Sequence, residues 1–483
     1  MLTACLRWGI YESAEEGYRF ARSKLYLDPA DLPDKQLWDK GSSNESDKWL
    51  SAIDEQTEAR MLAMITRRLH IPFRHVDEAQ QKAQKKVLFK QIHRHLRHLT
   101  SVSKDRKSIT SLASSEPILA HIAMEGWYGC AAAAYEHSRT ASLCDPILMF
   151  IMSVISKWAG LDVRDLGELA LQIIVLTAVD HAKVANLSEA DPRSERIDDI
   201  LVRWYKQEEL QTVLRFDLKH VITIRDFLMH LMTEEALESL YRLDGGSALM
   251  REMDHYSFYL THFIQSLSTD VTDQVYLEGM AQRGLGCLLR AGSFASDLVF
   301  PVFFNGKVED PKLLKFQVKN QKTSVQSEPN WQKMNDQYPD ENVLNVLIDF
   351  CRGVAEPDKA VELLRPEAGT KDGWCLTLRG LNTFPAARNR SLWETFLTFK
   401  PSVLDQIDDF ETRQTCMYHF DGVRVTDDPQ IVSSVAEESK KRSAPVSNEE
   451  IEKAGSRAKV QRTQEEMNVP CAEDQTSITE ADE

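Results

Sequence analysis

Two apolar segments of strand length, separated by turn residues, constrain the fold of this chain most strongly. The segments are DLVFPVFF at residues 297–304 and LLKFQVKN at residues 313–320. Between them lie Asn305-Gly306-Lys307 and Asp310-Pro311, and both sequences are typical of turns. Apolar runs of this length, bounded by turn residues, indicate β-strands. We therefore predict a β-hairpin.

The side chains of the second strand divide between two faces, because successive residues of a strand point in opposite directions. Phe316 and Val318 share the apolar face, whereas Gln317 and Lys319 share the polar one. Asp297 begins the first strand, and an antiparallel hairpin brings it beside Gln317 and Lys319. The three polar groups are placed to converge on one metal ion and one phosphate.

A helix is predicted directly before the hairpin, with Thr269 or Asp270 as its N-cap. At 100° per residue, Glu278 falls in the middle of an apolar stripe. The stripe consists of Val271, Val275, Ala281 and Leu285. A carboxylate in such surroundings needs a partner or a metal ion.

This arrangement resembles the PD-(D/E)xK nuclease superfamily, in which an Asp and an acid-x-Lys pair on adjacent strands bind a divalent cation. The resemblance implies Mg²⁺ or Mn²⁺ held by Asp297, Gln317, the Val318 carbonyl and Glu278. It also implies that Lys319 orients the attacking water or stabilises charge on the phosphorane. Two features depart from the pattern: Gln317 stands where an acid is usual, and Ser296 precedes Asp297 instead of Pro.

The order of segments is similar to that of a multi-copy fungal family with a nuclease-like domain behind a helical half. That family resembles Crinkler-type and retrotransposon-hot-spot-type nuclease modules. The similarity is carried by LGELA at 166–170, AVDHA at 178–182, IRDFL at 224–228, THFI at 261–264 and FQVKN at 316–320.

The length of 483 residues predicts two or three domains. We expect an α+β multidomain protein: a mostly α-helical N-terminal half, then a small restriction-endonuclease-like α/β domain with a mixed sheet. The predicted boundaries give an N-terminal arm at 1–45, a helical domain at 46–268, a nuclease-like domain at 269–424 and a disordered charged tail at 425–483.

Apolar periodicity predicts the individual elements. Helices are expected from about residue 46 to the break at Pro72, and near 78–100, 115–137, 146–158, 166–187, 194–214, 219–242 and 248–268. Beyond the hairpin we expect a polar loop to residue 340, helices at 341–354 and 357–365, a strand at 373–380 and closing segments at 389–399 and 403–410.

The helix at 78–100 is strongly basic, although the whole chain has a formal net charge of −16. This charge argues against a protein that coats nucleic acid over its whole surface, so any phosphate-binding surface is local. Residues that would bind nucleic acid are Lys82, Lys85, Lys86, Lys90, Arg94 and Arg97. The alternative interpretation is a solvated helix face. The histidines in this helix lack the acid or cysteine that would complete a metal site.

Two further polar positions lie on the helix at 166–187. Asp180 and His181 are adjacent and point about 100° apart, so they cannot orient each other as in a catalytic triad, and we interpret them as structural. Glu168 is interpreted as a first-turn charge favoured by the helix dipole and not as a catalytic acid.

Several observations bear on location. The eight cysteines are scattered without a C-x-x-C pair, which indicates free thiols. The N-terminus lacks the pattern of a signal peptide, and no apolar stretch approaches about 20 residues, so we expect an intracellular protein with no membrane partner. Lys440-Lys441-Arg442 is a candidate nuclear-localisation signal; the cytoplasm is the alternative.

Three functions are compatible with these patterns. The first is a metal-dependent nuclease acting on DNA or RNA. The second is a catalytically inactive nuclease-fold effector that binds nucleic acid or protein, which Gln317 and the negative net charge favour. The third is a helical interaction scaffold with an unrelated small sheet domain.

Overall fold

The computed structural model describes the parts of the chain on which the site depends. These are residues 19, 22, 23, 25, 55–74, 97–102, 109–113, 117–135, 144–145, 147–149, 151–152, 163–187, 221–265, 274–289, 295–307, 310–321, 323–338, 342–351, 359–366, 372–399 and 417–419. The predicted tail from residue 425, most of the predicted arm and the predicted segments at 194–214 and 403–410 lie outside them.

The chain alternates helices and strands along the described residues. The helices are α1 Glu55–Arg68, α2 Pro117–Tyr135, α3 Val163–Leu187, α4 Ile224–Leu231, α5 Glu234–Arg242, α6 Gly246–Met253, α7 Gln274–Arg283, α8 Glu328–Asp336 and α9 Arg390–Thr398. The strands are β1 Pro72–Arg74, β2 Arg97–Val102, β3 Ile109–Ala113, β4 Ile222–Thr223, β5 Tyr256–Phe258, β6 His262–Gln265, β7 Leu285–Leu288, β8 Leu298–Phe304, β9 Pro311–Lys319, β10 Asn342–Asp349, β11 Val361–Leu364, β12 Trp374–Arg379 and β13 Met417–His419.

A mixed nine-stranded sheet organises this part of the chain. Its path runs β11-β12-β10-β9-β8-β5-β4, and β7 pairs with both β8 and β6. Strands β9, β10 and β12 are parallel neighbours, whereas β8 and β9 form the predicted antiparallel hairpin with Leu298 opposite Phe316. The expected hairpin is therefore confirmed, and its turn places Asn305 and Gly306 at positive φ.

Helices cover both faces of this sheet. On one face Phe300 and Phe316 belong to the main apolar core together with α3 and α4. On the other face α7 packs against Val299 and Leu313, and Trp331 of α8 packs against Leu347. The face of β9 that we expected to be polar is therefore covered as well. The Lys315 ammonium is fully buried there and donates to the carbonyls of Met334 and Gln337, at the C-terminal end of α8, where a cation is favourable.

Several predicted elements are confirmed, among them α2, α3 and strand β12, and the closing segment at 389–399 contains helix α9. Others are wrong. Residues 342–349 form strand β10 instead of a helix, because a strand buried on both faces is almost continuously apolar and does not alternate. The helix expected to reach residue 268 ends at Met253 and is followed by β5 and β6, the segment 361–364 is a strand, and the expected polar loop contains α8.

The predicted boundary between the helical and nuclease-like domains falls inside the sheet. Strands β4, β5 and β6 precede residue 268, and they pair directly or through neighbours with strands that follow it. The main apolar core likewise includes residues from both sides, such as Ile174 and Phe316. The coarse expectation of mixed helices and strands with a mixed sheet is confirmed.

A buried ion pair joins the N-terminal helices to α3. Arg68 donates from Nη1 to Asp180 Oδ2 at 2.7 Å and from Nη2 to Oδ1 at 3.0 Å, and both side chains are 1% exposed. The Tyr128 hydroxyl donates to the same carboxylate at 2.9 Å, and Arg68 Nε donates to the Thr261 carbonyl at 3.3 Å. Asp180 therefore has the structural role expected from its sequence position.

We expect the protein to lose stability in mild acid because of His262, which is buried at the start of β6. Burial first, and then the charges of Arg68, Arg67 and Arg283, lower its pKa to about 3. The unfolded chain takes up this proton near pH 6.5 whereas the folded protein does not, so stability falls as pH decreases from about 6.5 toward 3.

This single group contributes at most about 1.4 kcal/mol per pH unit within that window. Urea unfolding at several pH values should show a shallower decline for His262→Asn than for the wild type. His255→Asn, at an exposed position, serves as the control. An identical pH dependence of wild type and His262→Asn contradicts the expectation.

No helix within the described ranges is long and apolar enough to cross a membrane.

Candidate functional site

Asp297 lies at the beginning of β8 and is fixed by the backbone of β9. Its N–H donates to the Phe316 carbonyl at 2.8 Å, and its carboxylate oxygen Oδ2 accepts from the Val318 N–H at 2.8 Å. Its side chain is only 12% exposed. Burial raises the pKa of Asp297, against the opposing effects of the Val318 N–H and of Arg164.

Gln317 lies on β9 beside Asp297, since the pairing of Leu298 with Phe316 places residue 297 opposite residue 317. The residue is 6% exposed, and among the described residues no donor reaches its buried Oε1. A buried carbonyl oxygen without a hydrogen bond costs free energy, so an atom of this kind points to a ligand or to a functional role.

Lys319 ends β9 on the same sheet face as Gln317. Burial lowers its pKa, and the nearby Asp297 carboxylate opposes that shift. The neighbouring strand β10 contributes Asp349 at the same level. Asp349 is fully buried, but its oxygens accept from Ser324 Oγ at 3.0 Å and from the Val325 and Cys351 N–H groups. We therefore assign Asp349 to the structure of the strand end.

Glu168 supplies the second carboxylate of the site, from the first turns of α3. Burial first, and then the Asp297 carboxylate, raise the pKa of Glu168 to about 8. The two carboxylates also share a partner, because one guanidinium, that of Arg164, donates to both of them. The expected first-turn position of Glu168 is wrong, because α3 begins at Val163, and the side chain is instead 20% exposed and paired with Arg164.

A glycine allows α3 to approach the site so closely. A Cβ on Gly167 would lie 2.9 Å from the Cβ of Asn320, the residue that follows β9. Asn320 in turn donates from Nδ2 to the Leu397 carbonyl of α9 at 3.1 Å. Because Gly167 has no side chain, α3 can pack closely against the end of β9 at this point, next to Glu168, and Asn320 connects that end to α9.

Arg164 connects the two carboxylates. Its Nε donates to Glu168 Oε1 at 2.8 Å, and its Nη2 donates to Asp297 Oδ1 at 3.3 Å. Its own side chain is half exposed. The site therefore contains two acids, one amide oxygen, one ammonium and one guanidinium at a single end of the sheet.

Glu278 is not brought to this group by any described contact. It lies on α7, and its Oε1 accepts from Gln274 Nε2 at 2.9 Å. The expected N-cap, Thr269 or Asp270, lies outside the described residues. The partner that its position demanded is thus a residue one turn earlier in the same helix. The acid beside Asp297 comes from α3 instead.

Most of the basic residues that we expected to bind nucleic acid lie outside the part of the chain that the structure describes. Lys82, Lys85, Lys86, Lys90 and Arg94 lie outside the described residues. Arg97 is the first residue of strand β2, which pairs with β3, so the predicted helix does not continue to residue 100.

The described residues do not supply enough acidic side chains to coordinate a metal ion on their own. In the described part of the chain, no group of three or more His, Cys, Asp and Glu side chains is arranged to hold a metal ion. The oxygen atoms on offer are the carboxylates of Glu168 and Asp297 and the unpartnered Gln317 Oε1. Oxygen donors of this type suit Mg²⁺ or Mn²⁺ better than softer metals.

Comparison with known proteins assigns neither a family nor a function to this site. A scan against protein-family models, a search of curated proteins and a search of solved structures each found no match to this chain. The functional interpretation of the site therefore depends on its own residues.

Proposed function

We propose that this protein hydrolyses phosphodiester bonds of DNA or RNA with a divalent metal ion. One arrangement carries the proposal: Asp297, Gln317 and Lys319 lie at the same end of the β8–β9 hairpin, and Arg164 links Asp297 to Glu168 of α3. Carboxylate oxygens that bind a cation, next to an ammonium that stabilises negative charge, are what hydrolysis of a phosphate ester requires. The Asp and Gln-x-Lys positions on adjacent strands also support the suspected resemblance to PD-(D/E)xK nucleases.

The donor set fits Mg²⁺ or Mn²⁺. Mg²⁺ commonly binds one or two carboxylates, keeps several waters and leaves positions for substrate phosphate. Glu168 and Asp297 would supply the carboxylates, and Gln317 Oε1 would obtain the partner that it lacks among the described residues. When bound, the cation supplies Lewis acidity toward a phosphate oxygen and lowers the pKa of a coordinated water.

The residues of the chain supply orientation and charge. The Val318 N–H fixes the Asp297 carboxylate, so the carboxylate does not have to be ordered when a ligand arrives. Lys319 is held at the strand end, where its ammonium can donate to the attacking water or to a non-bridging phosphate oxygen. Its lowered pKa makes the loss of a proton easier than for an exposed lysine.

Metal binding and cleavage by four variants test the proposal. Mn²⁺ binding is measured by calorimetry, and cleavage is measured on labelled single-stranded DNA, duplex DNA and structured RNA. Asp297→Asn should abolish both activities. Lys319→Met should retain Mn²⁺ binding and reduce cleavage about 10²-fold or more, because it removes a group that acts in the transition state.

The matched controls lie at the opposite end of the same hairpin. Asp310→Asn and Lys312→Met disrupt the ion pair between Asp310 and Lys312, at 3.2 Å, without touching the site. Both should behave as wild type. The proposal is refuted if no substrate is cleaved and Mn²⁺ binding is unchanged by Asp297→Asn.

A second candidate function is binding of a nucleic acid without turnover. It is favoured by Gln317, an amide where the resembling nucleases usually carry an acid. It is also favoured by the small number of carboxylates, Glu168 and Asp297, that the described residues bring to the site. Nucleic-acid binding that depends on Asp297 and metal, without cleavage of any substrate, would identify this function.

A further inference from the structure

Arg164 occupies an unusual electrostatic position. It is the second residue of α3, and the N-terminal turn of a helix disfavours a positive charge. The helix dipole therefore does not explain its location. It pairs with Glu168 at 2.8 Å and with Asp297 at 3.3 Å, the second across 133 residues of sequence.

The two carboxylates need a cation between them. Their side chains are only 20% and 12% exposed, and burial disfavours the charge of each carboxylate. A guanidinium that contacts one oxygen of each offsets the repulsion between them. Arg164 thus performs the electrostatic role that a divalent metal ion would perform at the same oxygens.

A metal ion and Arg164 interfere with each other at Asp297. Oδ2 of this carboxylate accepts from the Val318 N–H, and Oδ1 accepts from Arg164. A cation that binds Oδ1 would face a guanidinium within contact distance of the same atom, and like charges in a partly buried site repel strongly. Half of the Arg164 side chain is exposed.

We propose that Arg164 is an exchangeable internal cation: it holds Glu168 and Asp297 until a divalent metal ion takes their oxygens, and it then turns toward the phosphate of the substrate. This inference rests on the metal site of the proposed function. It makes binding of a phosphate-bearing ligand depend on prior binding of the metal, because Arg164 is released to the phosphate only by that exchange.

The replacement of Arg164 by a metal ion can be tested by measuring Mn²⁺ affinity, whether or not the protein cleaves a substrate. Arg164→Gln should bind Mn²⁺ about tenfold more tightly than wild type, since the competing cation no longer reduces the fraction of protein that can bind metal. Arg164→Lys should give an affinity close to that of the wild type. Arg390→Gln is the matched control, because Arg390 forms the same type of half-exposed pair with Glu394, four residues along helix α9.

A second measurement follows the released guanidinium. Binding of a short phosphorothioate oligonucleotide to the wild type should be strengthened by Ca²⁺, and Arg164→Gln should lose most of that increase while Arg390→Gln keeps it. Circular dichroism and thermal unfolding of each variant verify that the fold is retained.

The outcomes separate this inference from the proposed function. Wild-type Mn²⁺ binding that requires Asp297, with equal or weaker binding by Arg164→Gln, overturns the exchange and leaves the metal site standing. Mn²⁺ binding that appears only in Arg164→Gln and is abolished by adding Asp297→Asn supports the exchange. Absence of Asp297-dependent binding in both proteins overturns the exchange together with the metal site.

Discussion

Asp180→Ala is expected to lower the free energy of unfolding by about 3–5 kcal/mol, because it leaves the guanidinium of Arg68 buried without a counter-charge. Arg68 is 1% exposed and makes two hydrogen bonds to Asp180. The substitution also removes the acceptor of the Tyr128 hydroxyl. Since these residues belong to α1, α2 and α3, the loss should appear in the global transition, as measured by urea unfolding with circular dichroism.

An exposed ion pair of the same chemistry provides the control. Asp254 and Arg225 approach to 3.5 Å, with side chains 47% and 44% exposed. Asp254→Ala should cost less than about 1 kcal/mol, because solvent screens such pairs. The double variant Arg68→Met/Asp180→Leu should recover much of the lost stability, since the remaining cost comes from the isolated charge and not from the absence of the pair. A loss of less than about 1 kcal/mol for Asp180→Ala refutes the argument.

Gln317→Glu is expected to destabilise the metal-free protein and to strengthen its binding of Mn²⁺. Without metal it places a third carboxyl beside Asp297 and Glu168 at a position that is 6% exposed. We expect the free energy of unfolding to fall by about 1–3 kcal/mol, limited by protonation of the new carboxyl. With Mn²⁺ the added charged oxygen should strengthen metal binding by about tenfold or more, because a carboxylate is a better ligand for a hard cation than an amide.

Two further variants make this result specific to the site. Gln326→Glu adds the same charge at an exposed position and should change neither quantity. Gln317→Met retains a similar side-chain size but removes the unpartnered oxygen. It should therefore leave the metal-free protein as stable as wild type or more stable, while weakening Mn²⁺ binding. Equal Mn²⁺ affinity of Gln317→Glu, Gln317→Met and wild type would exclude Gln317 from the metal site.

The hairpin and three of its polar residues were accessible to sequence analysis because they depend on local rules. The Asn-Gly turn and the length of the apolar runs indicated two paired strands, and the alternation of strand side chains placed Gln317 and Lys319 on one face. The antiparallel pairing then brought Asp297 beside them. The structure has the same pairing, with Asp297 donating to the Phe316 carbonyl.

The acid from α3 was not accessible in this way. Arg164 and Asp297 are 133 residues apart in the chain, and no local rule brings a helix to a distant strand end. The only local signal was Gly167 beside Glu168, and a glycine inside a helix has a meaning only when the neighbouring element is known. Glu278 is indicated by the apolar stripe around it on the helix before the hairpin, but its partner in the structure is Gln274 of the same helix.

The sequence by itself determined the elements whose patterns are local: the amphipathic and apolar helices, the turn of the hairpin and the face on which each residue of β9 lies. The tertiary structure alone decided that β10 is a strand, because burial on both sides removes the alternation that identifies one. It alone also decided that Glu168 and Arg164 meet Asp297. The physical reason is that side-chain periodicity is fixed by the backbone of one element, whereas the position of one element against another depends on the packing of the whole core.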